Sequence, residues 1–212
     1  MAGEPRASFL ARVRTALGHG ATTPPAPPAP EVDEGLVRLA SRDDDLSALF
    51  ERRAREVGMH VRRAPDASVT DVLLETLDAA GARSVAFSAG CDGEAVVAQS
   101  GREVVQAGLD ALYDVDAGVT AVHAALAETG TLILHAAAGH GRGLSLVPPL
   151  HIALLRASDI VPDMLDYWAR PRPETSSRVF ITGPSKTADI EGELIEGVHG
   201  PASVHVILVV DR

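Results

Sequence analysis

Short, almost purely aliphatic runs set the tightest limit on how this chain can fold. They read SVAFS (84–88), TLILHAA (131–137), HIALL (151–155), RVFIT (178–182) and VHVILVV (204–210), and MHVRR (59–63) is a more polar run of the same kind. Uniformly apolar strands are typical of parallel sheets, which are covered on both faces. Because aromatic residues make up only 3% of the chain, the core has to be built from valine, leucine, isoleucine and alanine.

Stretches with helical spacing separate these runs. The alternation predicts an α/β fold with a mainly parallel sheet flanked by helices. We expect helices over residues 36–57, where Gly58 ends the helix, over 68–80, over 119–128, and from a Ser158 cap to residue 170. Segments 94–99 and 102–108 fit a helix or a strand.

The N-terminal segment predicts a separate arm. Residues 7–18 place Phe9, Leu10, Val13, Ala16 and Leu17 on one helical stripe, and the proline-rich segment ATTPPAPPAP (21–30) follows. The predicted organisation is therefore a helix with its linker over 1–30 and an α/β domain over 31–212. Since so short a helix is marginal alone, we expect it to dock on the body, on another copy or on a partner.

Charge and cysteine content limit the possible ligands. The formal net charge of −10 disfavours nucleic acid and anionic membranes as general partners. Cys91 is the only cysteine, so the chain alone holds no disulfide, thiolate zinc site or iron–sulfur cluster. No signal peptide or long apolar run is evident in the sequence, which predicts a cytoplasmic protein without a membrane span.

Two loops carry the first candidate site residues. In AETGTLIL, Glu128 stands beside Thr129 and Gly130, where a partly buried carboxylate could act as an acid or base. The alternative is an ordinary turn in which Gly130 ends a helix. In the glycine-rich loop 139–143, Arg142 and free backbone amides suit an anion.

The segment ITGPSKTADIEG (181–192) is the third candidate loop. It predicts the first turn of a helix, capped by Ser185 or Thr187 and complemented by Asp189 and Glu191. Lys186 is unfavourable at a helix N-terminus, so we expect a bound anion beside it. We expect Arg142 and Lys186 to share a positively lined hollow at the carboxyl ends of the strands. His140, His151 and His199 lie near these loops without metal-ligand spacing, so no metal site is predicted.

Four segments taken together resemble a known family. AETGTLIL, GRGLSLVPPLHIALL, DIVPDM and FITGPSKTADIEGELIEGVHGPASVHVILV occur in this order and are similar to the LUD (lactate-utilisation) domain family, in particular its LutC-type subunit. The similarity runs from about residue 115 to the C-terminus, and the arm with its proline-rich spacer is also similar. One departure is TAVHAALAETGT, where the family commonly has a Gly-Ala-Asp-type segment and this chain has Val122 and His123.

The resemblance implies a NagB/RpiA/CoA-transferase-like fold and a role in oxidising L-lactate to pyruvate. LutA- and LutB-like iron–sulfur subunits would be the partners and would hold the clusters, with no cofactor bound by this chain alone. Glu128 is the candidate catalytic residue. The candidate substrate- or anion-binding residues are Thr129, Gly130, Arg142, Ser145, His151, Gly183, Pro184, Ser185, Lys186, Thr187, Asp189, Glu191, His199 and Gly200.

The leading hypothesis is thus an accessory or substrate-handling subunit of a lactate-oxidising complex. The alternatives are an independent enzyme of the isomerase or transferase type, or a sensor, acting on a small phosphorylated or carboxylated metabolite. Fold analogy is the warrant for the enzyme alternative.

Overall fold

The computed structural model describes residues 5–19, 27–28, 30–31, 33–106, 108, 110–136, 141–171, 175–188 and 194–210. The helices are α1 (Arg6–Ala16), α2 (Glu34–Val37), α3 (Leu46–Glu56), α4 (Val69–Ala80), α5 (Glu94–Gln99) and α6 (Met164–Ala169). The strands are β1 (His60–Pro65), β2 (Ser84–Phe87), β3 (Glu103–Val104), β4 (Ala117–Ala121), β5 (Ala124–Leu126), β6 (Thr131–His135), β7 (Leu150–Arg156), β8 (Ile160–Val161), β9 (Arg178–Ile181), β10 (Lys186–Ala188), β11 (Leu194–Glu196) and β12 (Ser203–Val210). Short 3-10 helices cover Asp66–Ser68, Asp110–Asp114, Arg142–Ser145 and Ala157–Asp159.

The chain separates into two compact units, Met1–Val37 and Arg38–Arg212. In the first unit, α1 covers nearly the segment predicted as a helix, and most of the proline-rich segment lies outside the described residues. Within the described part of the chain, no helix combines the length and apolar character needed to cross a bilayer.

The centre of the second unit is a six-stranded sheet in the order β1-β12-β7-β4-β2-β3. Every neighbouring pair in it is parallel, which confirms the predicted fold class. The long central strands β7 and β12 run side by side from Leu150 and Ser203 onward. Their aliphatic side chains alternate between the two faces, so both faces bury apolar residues.

Different layers cover the two faces. On one face, Leu73 and Leu77 of α4 pack in a cluster with Ile152 and Ile207 of the sheet. On the other face, Phe50 of α3 belongs to a cluster with sheet residues and with the second sheet. That second sheet has the order β8-β5-β6-β9 and mixes parallel and antiparallel pairs. One face is therefore covered partly by strands, and not by helices alone.

The helix expected over 36–57 is interrupted. Residues between α2 and α3 form turns in which Asp44 accepts a hydrogen bond from the Ser41 amide at 2.8 Å. Asp45 then caps α3 by accepting from the Ala48 amide at 2.9 Å. Short polar side chains that form hydrogen bonds with nearby backbone compete with a continuous helix. The predicted helix therefore combined two separate helices, because both have apolar residues at helical spacing.

The prediction of a helix over 119–128 is wrong. The segment forms the end of β4, all of β5 and a turn. β4 lies between β2 and β7 in the sheet, and its central residue Val119 is fully buried. Alanine favours a helix, so tertiary strand pairing overrode the local preference here.

The predicted start of the helix at a Ser158 cap is also wrong. Residues Ala157–Asp159 form a single 3-10 turn, and β8 follows. The helix begins later, because Asp163 caps α6 by accepting from the Asp166 amide at 2.8 Å. The helical turn expected after residue 183 is absent from the described residues as well: Lys186–Ala188 forms a strand, β10, paired antiparallel with β11.

Candidate functional site

Glu128 lies in a cleft of about 270 Å³ between the second sheet and the start of α6. Its polar lining consists of Glu128, Thr129, Thr131, Asp163 and Thr182, and Leu126, Met164 and Phe180 supply the apolar part. We call this the Glu128 cleft. Its volume suits a small metabolite, since pockets for larger drug-sized ligands hold roughly 300–1,000 Å³.

Gly130 fixes the turn that presents Glu128. Its φ is +65°, and an added Cβ would lie 2.4 Å from the backbone nitrogen of Ala54 in α3. Only glycine fits both the left-handed backbone and this approach to a helix. The absence of a side chain at Gly130 therefore allows the turn that carries Glu128 to pack directly against α3.

Threonine hydroxyls form a continuous chain along one wall of the cleft. Thr129 Oγ1 lies 2.7 Å from Thr131 Oγ1, which lies 2.8 Å from Thr182 Oγ1. Thr129 is a predicted site residue, but Thr131 and Thr182 were not. Because β6 and β9 pair antiparallel, Thr131 and Thr182 become neighbours although they are far apart in the sequence. No local sequence pattern indicates this contact.

The carboxyl groups give the cleft its electrostatic character. Burial raises the pKa of Glu128, the Asp163 carboxylate raises it further, and Arg53 opposes both effects. Asp163 is only 5% exposed, and its Oδ2 accepts a hydrogen bond from Arg38 Nη1 at 3.2 Å. The cleft thus brings a carboxyl group with a raised pKa close to a buried aspartate that is bound by an arginine.

Asp163 and its buried neighbour Asp166 form an ion-pair network with two more exposed arginines, and Arg38 bonds to both aspartates. Asp166 accepts hydrogen bonds from both Arg38 and Arg42, with Arg42 Nε at 2.7 Å. Burial alone would raise the pKa of Asp166, but the bonds from Arg42 and Arg38 outweigh it and hold the pKa below its ordinary value. Asp163 is not among the site residues predicted from the sequence, although a Pro-Asp pair before a helix is a recognisable capping signal.

Chemically, the cleft can exchange a proton and donate or accept hydrogen bonds. None of its described lining residues is cationic, so it has no group for direct charge pairing with an anion. No cluster of three or more histidine, cysteine, aspartate or glutamate side chains suited to a metal ion occurs in the described part of the chain.

The residues predicted around Arg142 have mainly structural surroundings. Ser145 is buried and donates to the Arg142 carbonyl at 3.2 Å. His151 is fully buried in β7, with Nε2 2.8 Å from Thr120 Oγ1. The 3-10 helix Arg142–Ser145 packs so closely on β4 that a Cβ on Gly118 would lie 2.0 Å from the Leu144 carbonyl oxygen. Arg142 itself is exposed.

Gly183, Pro184 and Lys186 lie against the C-terminal end of α3. A Cβ on Gly183 would lie 2.5 Å from the Val57 carbonyl oxygen, and Lys186 Nζ lies 3.3 Å from where a Gly58 Cβ would stand. Lys186 also pairs with Glu196 at 3.6 Å. A cation is favoured at a helix C-terminus, so its position has a structural explanation without an anion.

Ser185 organises the turn before β12. Its amide donates to the Pro201 carbonyl at 2.9 Å, and its hydroxyl accepts from the His199 amide at 3.4 Å. A Cβ on Gly200 would lie 3.3 Å from Ser185 Cβ and 3.9 Å from the Leu146 carbonyl oxygen. Thr187 pairs with Ile195 in the hairpin. Asp189 and Glu191 lie outside the described residues.

The two glycine-containing loops therefore meet, but not at the expected edge. Gly200, in the turn before β12, lies close to Ser185 of the 181–192 segment and to Leu146 of the loop before β7, which places this meeting point at the amino ends of the parallel strands. Neither Arg142 nor Lys186 lines the Glu128 cleft. Anion binding by these loop residues stays a prediction. The loops meet at the amino ends of the parallel strands, and not at the carboxyl ends as predicted.

The chain is similar to known proteins over most of its length. The LUD domain family model matches residues 47–209. Lactate utilization protein C from Bacillus velezensis is 42% identical over 102 residues, which is 45% of this chain and 42% of that relative. That alignment thus spans less than half of either protein.

Other similarities extend further along the chain. Lactate utilization protein C from Shouchella clausii is 30% identical over an alignment that covers 98% of both chains. The crystal structure of a DUF162 family protein from Deinococcus radiodurans superposes with a TM-score of 0.59 at 28% identity, covering 77% of this chain and 96% of that one.

Proposed function

The chain belongs to the LUD domain family, and from that premise we propose that it serves L-lactate utilisation as a LutC-type subunit. The observation that carries the proposal is the similarity to the Shouchella clausii protein, because its alignment includes nearly the whole of both chains. An alignment of that extent takes in the N-terminal unit together with the α/β body.

The chemistry of lactate oxidation suggests how the work is divided among subunits. Conversion of L-lactate to pyruvate removes a pair of electrons and a pair of protons from the hydroxyl-bearing carbon and its hydroxyl. With one cysteine, this chain alone supplies too few thiolates for an iron–sulfur cluster. We propose that LutA- and LutB-like subunits accept the electrons, and that Glu128 exchanges a proton with the substrate.

Deletion of the gene in its host tests the main proposal. We expect the deletion strain to grow normally on glucose and to fail on L-lactate as the sole carbon source, and the full chain to restore growth. Normal growth of the deletion strain on L-lactate would reject a required role in lactate utilisation.

The role of Glu128 is tested by complementation with Glu128→Gln. Loss of a positioned acid or base costs about 10²–10⁴-fold in rate, so lactate-dependent reduction of a dye by cell extract should fall at least a hundredfold. Co-purification with the iron–sulfur subunits should persist. Glu103→Gln, which changes an exposed carboxylate on β3, is the control. Full activity of Glu128→Gln would reject proton exchange by Glu128, and the subunit would then keep only an accessory role in the complex.

The Glu128 cleft also favours a second candidate, an independent enzyme acting on a small metabolite. The supporting observation is a carboxyl group with a raised pKa in a partly apolar cleft, an arrangement common among catalytic acids and bases. The purified chain would then turn over a sugar phosphate or acyl-CoA without partners. Absence of turnover with both compound classes would reject this candidate.

A further inference from the structure

A second cavity, of about 140 Å³, lies at the carboxyl ends of the parallel strands. It is lined by residues that end or follow strands across the central sheet: Asp66 after β1, Cys91 after β2, Ala121 in β4, Arg156 in β7 and Val209 in β12. In open parallel sheets, this edge is where ligands bind. We call it the Arg156 cavity. No residue that the sequence analysis proposed lines it.

Arg156 supplies the group that selects for a carboxylate. It ends β7, its side chain is 50% exposed, and its guanidinium lies 3.3 Å from Asp66 and 3.9 Å from Asp92. These separations are longer than the roughly 2.7–2.9 Å of a strong charge-assisted hydrogen bond. A guanidinium carries five N–H donors in a planar fork, so a ligand carboxylate can bind to it with little displacement of either aspartate.

The remaining lining defines the rest of the ligand. Val69, Leu154 and Val209 are buried apolar residues along the cavity, which suit a short aliphatic group. Asp66, Asp92 and Asp159 add carboxylates that can only accept hydrogen bonds when ionised. Three acidic side chains around one arginine repel any ligand with a net negative charge, and they favour a ligand that also carries a cationic donor.

We propose that the Arg156 cavity binds a small carboxylate whose neighbouring carbon carries an ammonium group, that is, a small zwitterionic amino acid. The carboxylate lies on Arg156, the donor on an aspartate, and the short aliphatic group on the valine and leucine side chains. The inference rests on the lining of the cavity and does not depend on a role in lactate utilisation. Growth assays therefore test the proposed function, and binding assays test this cavity, independently of each other.

Calorimetry on the full chain with acids of one carbon skeleton tests the proposal. L-lactate offers a hydroxyl, L-alanine an ammonium, and propionate and pyruvate offer no donor. We expect L-alanine to bind at least about tenfold more tightly than L-lactate, propionate and pyruvate, because only its ammonium group offsets the negative charge of the aspartates and donates a charge-assisted hydrogen bond. Absence of L-alanine binding, or equal binding of L-lactate, propionate or pyruvate, would overturn the proposal.

Variants at the cavity identify the groups involved. Arg156→Gln should weaken binding about tenfold or more, and Arg156→Lys should recover part of the loss, because lysine keeps the charge without the fork. Arg62→Gln is the matched control, since Arg62 forms a comparable exposed pair with Glu75 away from the cavity. Circular dichroism checks that each variant is folded. Wild-type affinity in folded Arg156→Gln would contradict the assignment.

Cys91 provides an independent report of where the ligand sits. It lines the cavity and is the only cysteine, so every maleimide label on the protein reports this position. Burial raises the pKa of Cys91 to about 12, which makes labelling slow even without ligand. A bound acid should slow labelling at least threefold further in wild type. An unchanged labelling rate at saturating acid would place binding elsewhere and overturn the proposal.

Discussion

Asp116 joins the amino ends of β2 and β4 at the level of single hydrogen bonds. Its Oδ2 accepts from the amides of Arg83 and Ser84 at 2.7 and 2.9 Å, and from the Ser84 hydroxyl at 3.0 Å. The Arg83 and Ser84 amide bonds are the main cause of a pKa below the ordinary value for Asp116. An aspartate with a depressed pKa stabilises the folded state above its unfolded pKa, and this contribution is lost as the pH falls through its folded pKa.

We therefore expect Asp116→Asn to lower the free energy of unfolding near pH 7 by about 1–3 kcal/mol, because bonds to a charged acceptor are weakened. The difference from wild type should shrink below about pH 4, where the unfolded-state carboxylate becomes protonated. Urea unfolding at neutral and acid pH measures both. Asp114→Asn, an exposed neighbour, should change stability by less than about 0.5 kcal/mol. A pH-independent loss in Asp116→Asn would contradict this account.

Glu128 has the opposite linkage. Its folded pKa is raised, mainly by burial, so the ionised side chain destabilises the folded state above that pKa, and the penalty is absent below the unfolded pKa. Glu128→Gln should raise the free energy of unfolding near neutral pH by up to about 1 kcal/mol. The gain should disappear toward pH 4. Urea unfolding of the variant beside Glu103→Gln measures it, and a loss of stability at neutral pH would show that Glu128 is held by a favourable charge interaction.

At the scale of elements, Gly130 and Gly81 offer a matched pair. Both have φ near +65° (values of +65° and +66°), but a Cβ on Gly130 would collide with the backbone of α3, whereas nothing lies within 4 Å of one on Gly81. Gly81→Ala should cost about 1 kcal/mol for the left-handed backbone alone. Gly130→Ala should cost about 3 kcal/mol or more, because α3 has to shift. Thermal unfolding of both variants checks this, and equal losses would mean that the turn does not seat on α3.

The elements that the sequence predicted well are those whose environment leaves a local pattern. β12 spans Ser203–Val210, close to the predicted 204–210, because a strand buried on both faces needs an unbroken aliphatic run. The segment 119–128 failed for a related reason. Its alanines favour a helix, but the pairing of Val119 with Ile152 makes it a strand, and no window of local sequence contains that pairing.

At the scale of the whole molecule, the candidate site was only partly predictable. Glu128 and Thr129 adjoin each other in sequence and were found together. Asp163 and Thr182 reach the same cleft from distant segments, and only the tertiary fold brings them there. The Lys186 hypothesis assumed a helix N-terminus, whereas the folded chain places that ammonium beside the end of α3. Arg156 carried no motif, because its position depends on strand order alone.

The division into Met1–Val37 and Arg38–Arg212 leads to a prediction for assembly. The second unit contains all three sheets of the described residues and the main apolar clusters, so it has the core that independent folding requires. Deleting residues 1–30 should leave the unfolding temperature and the circular dichroism spectrum nearly unchanged. The helix α1 is too short to be stable by itself, and we expect it to gain stability by docking on the proposed iron–sulfur subunits.

The truncated chain should accordingly co-purify with those subunits at least about tenfold less than the full chain, as expected when a hydrophobic helical anchor is removed. The matched control replaces Arg12 and Arg14 of α1 with glutamine, which keeps the apolar stripe and should leave co-purification within about threefold of the full chain. If the truncated chain co-purifies as well as the full one, the arm does not dock on these partners. If it also unfolds at a markedly lower temperature, the arm instead completes the body of its own chain.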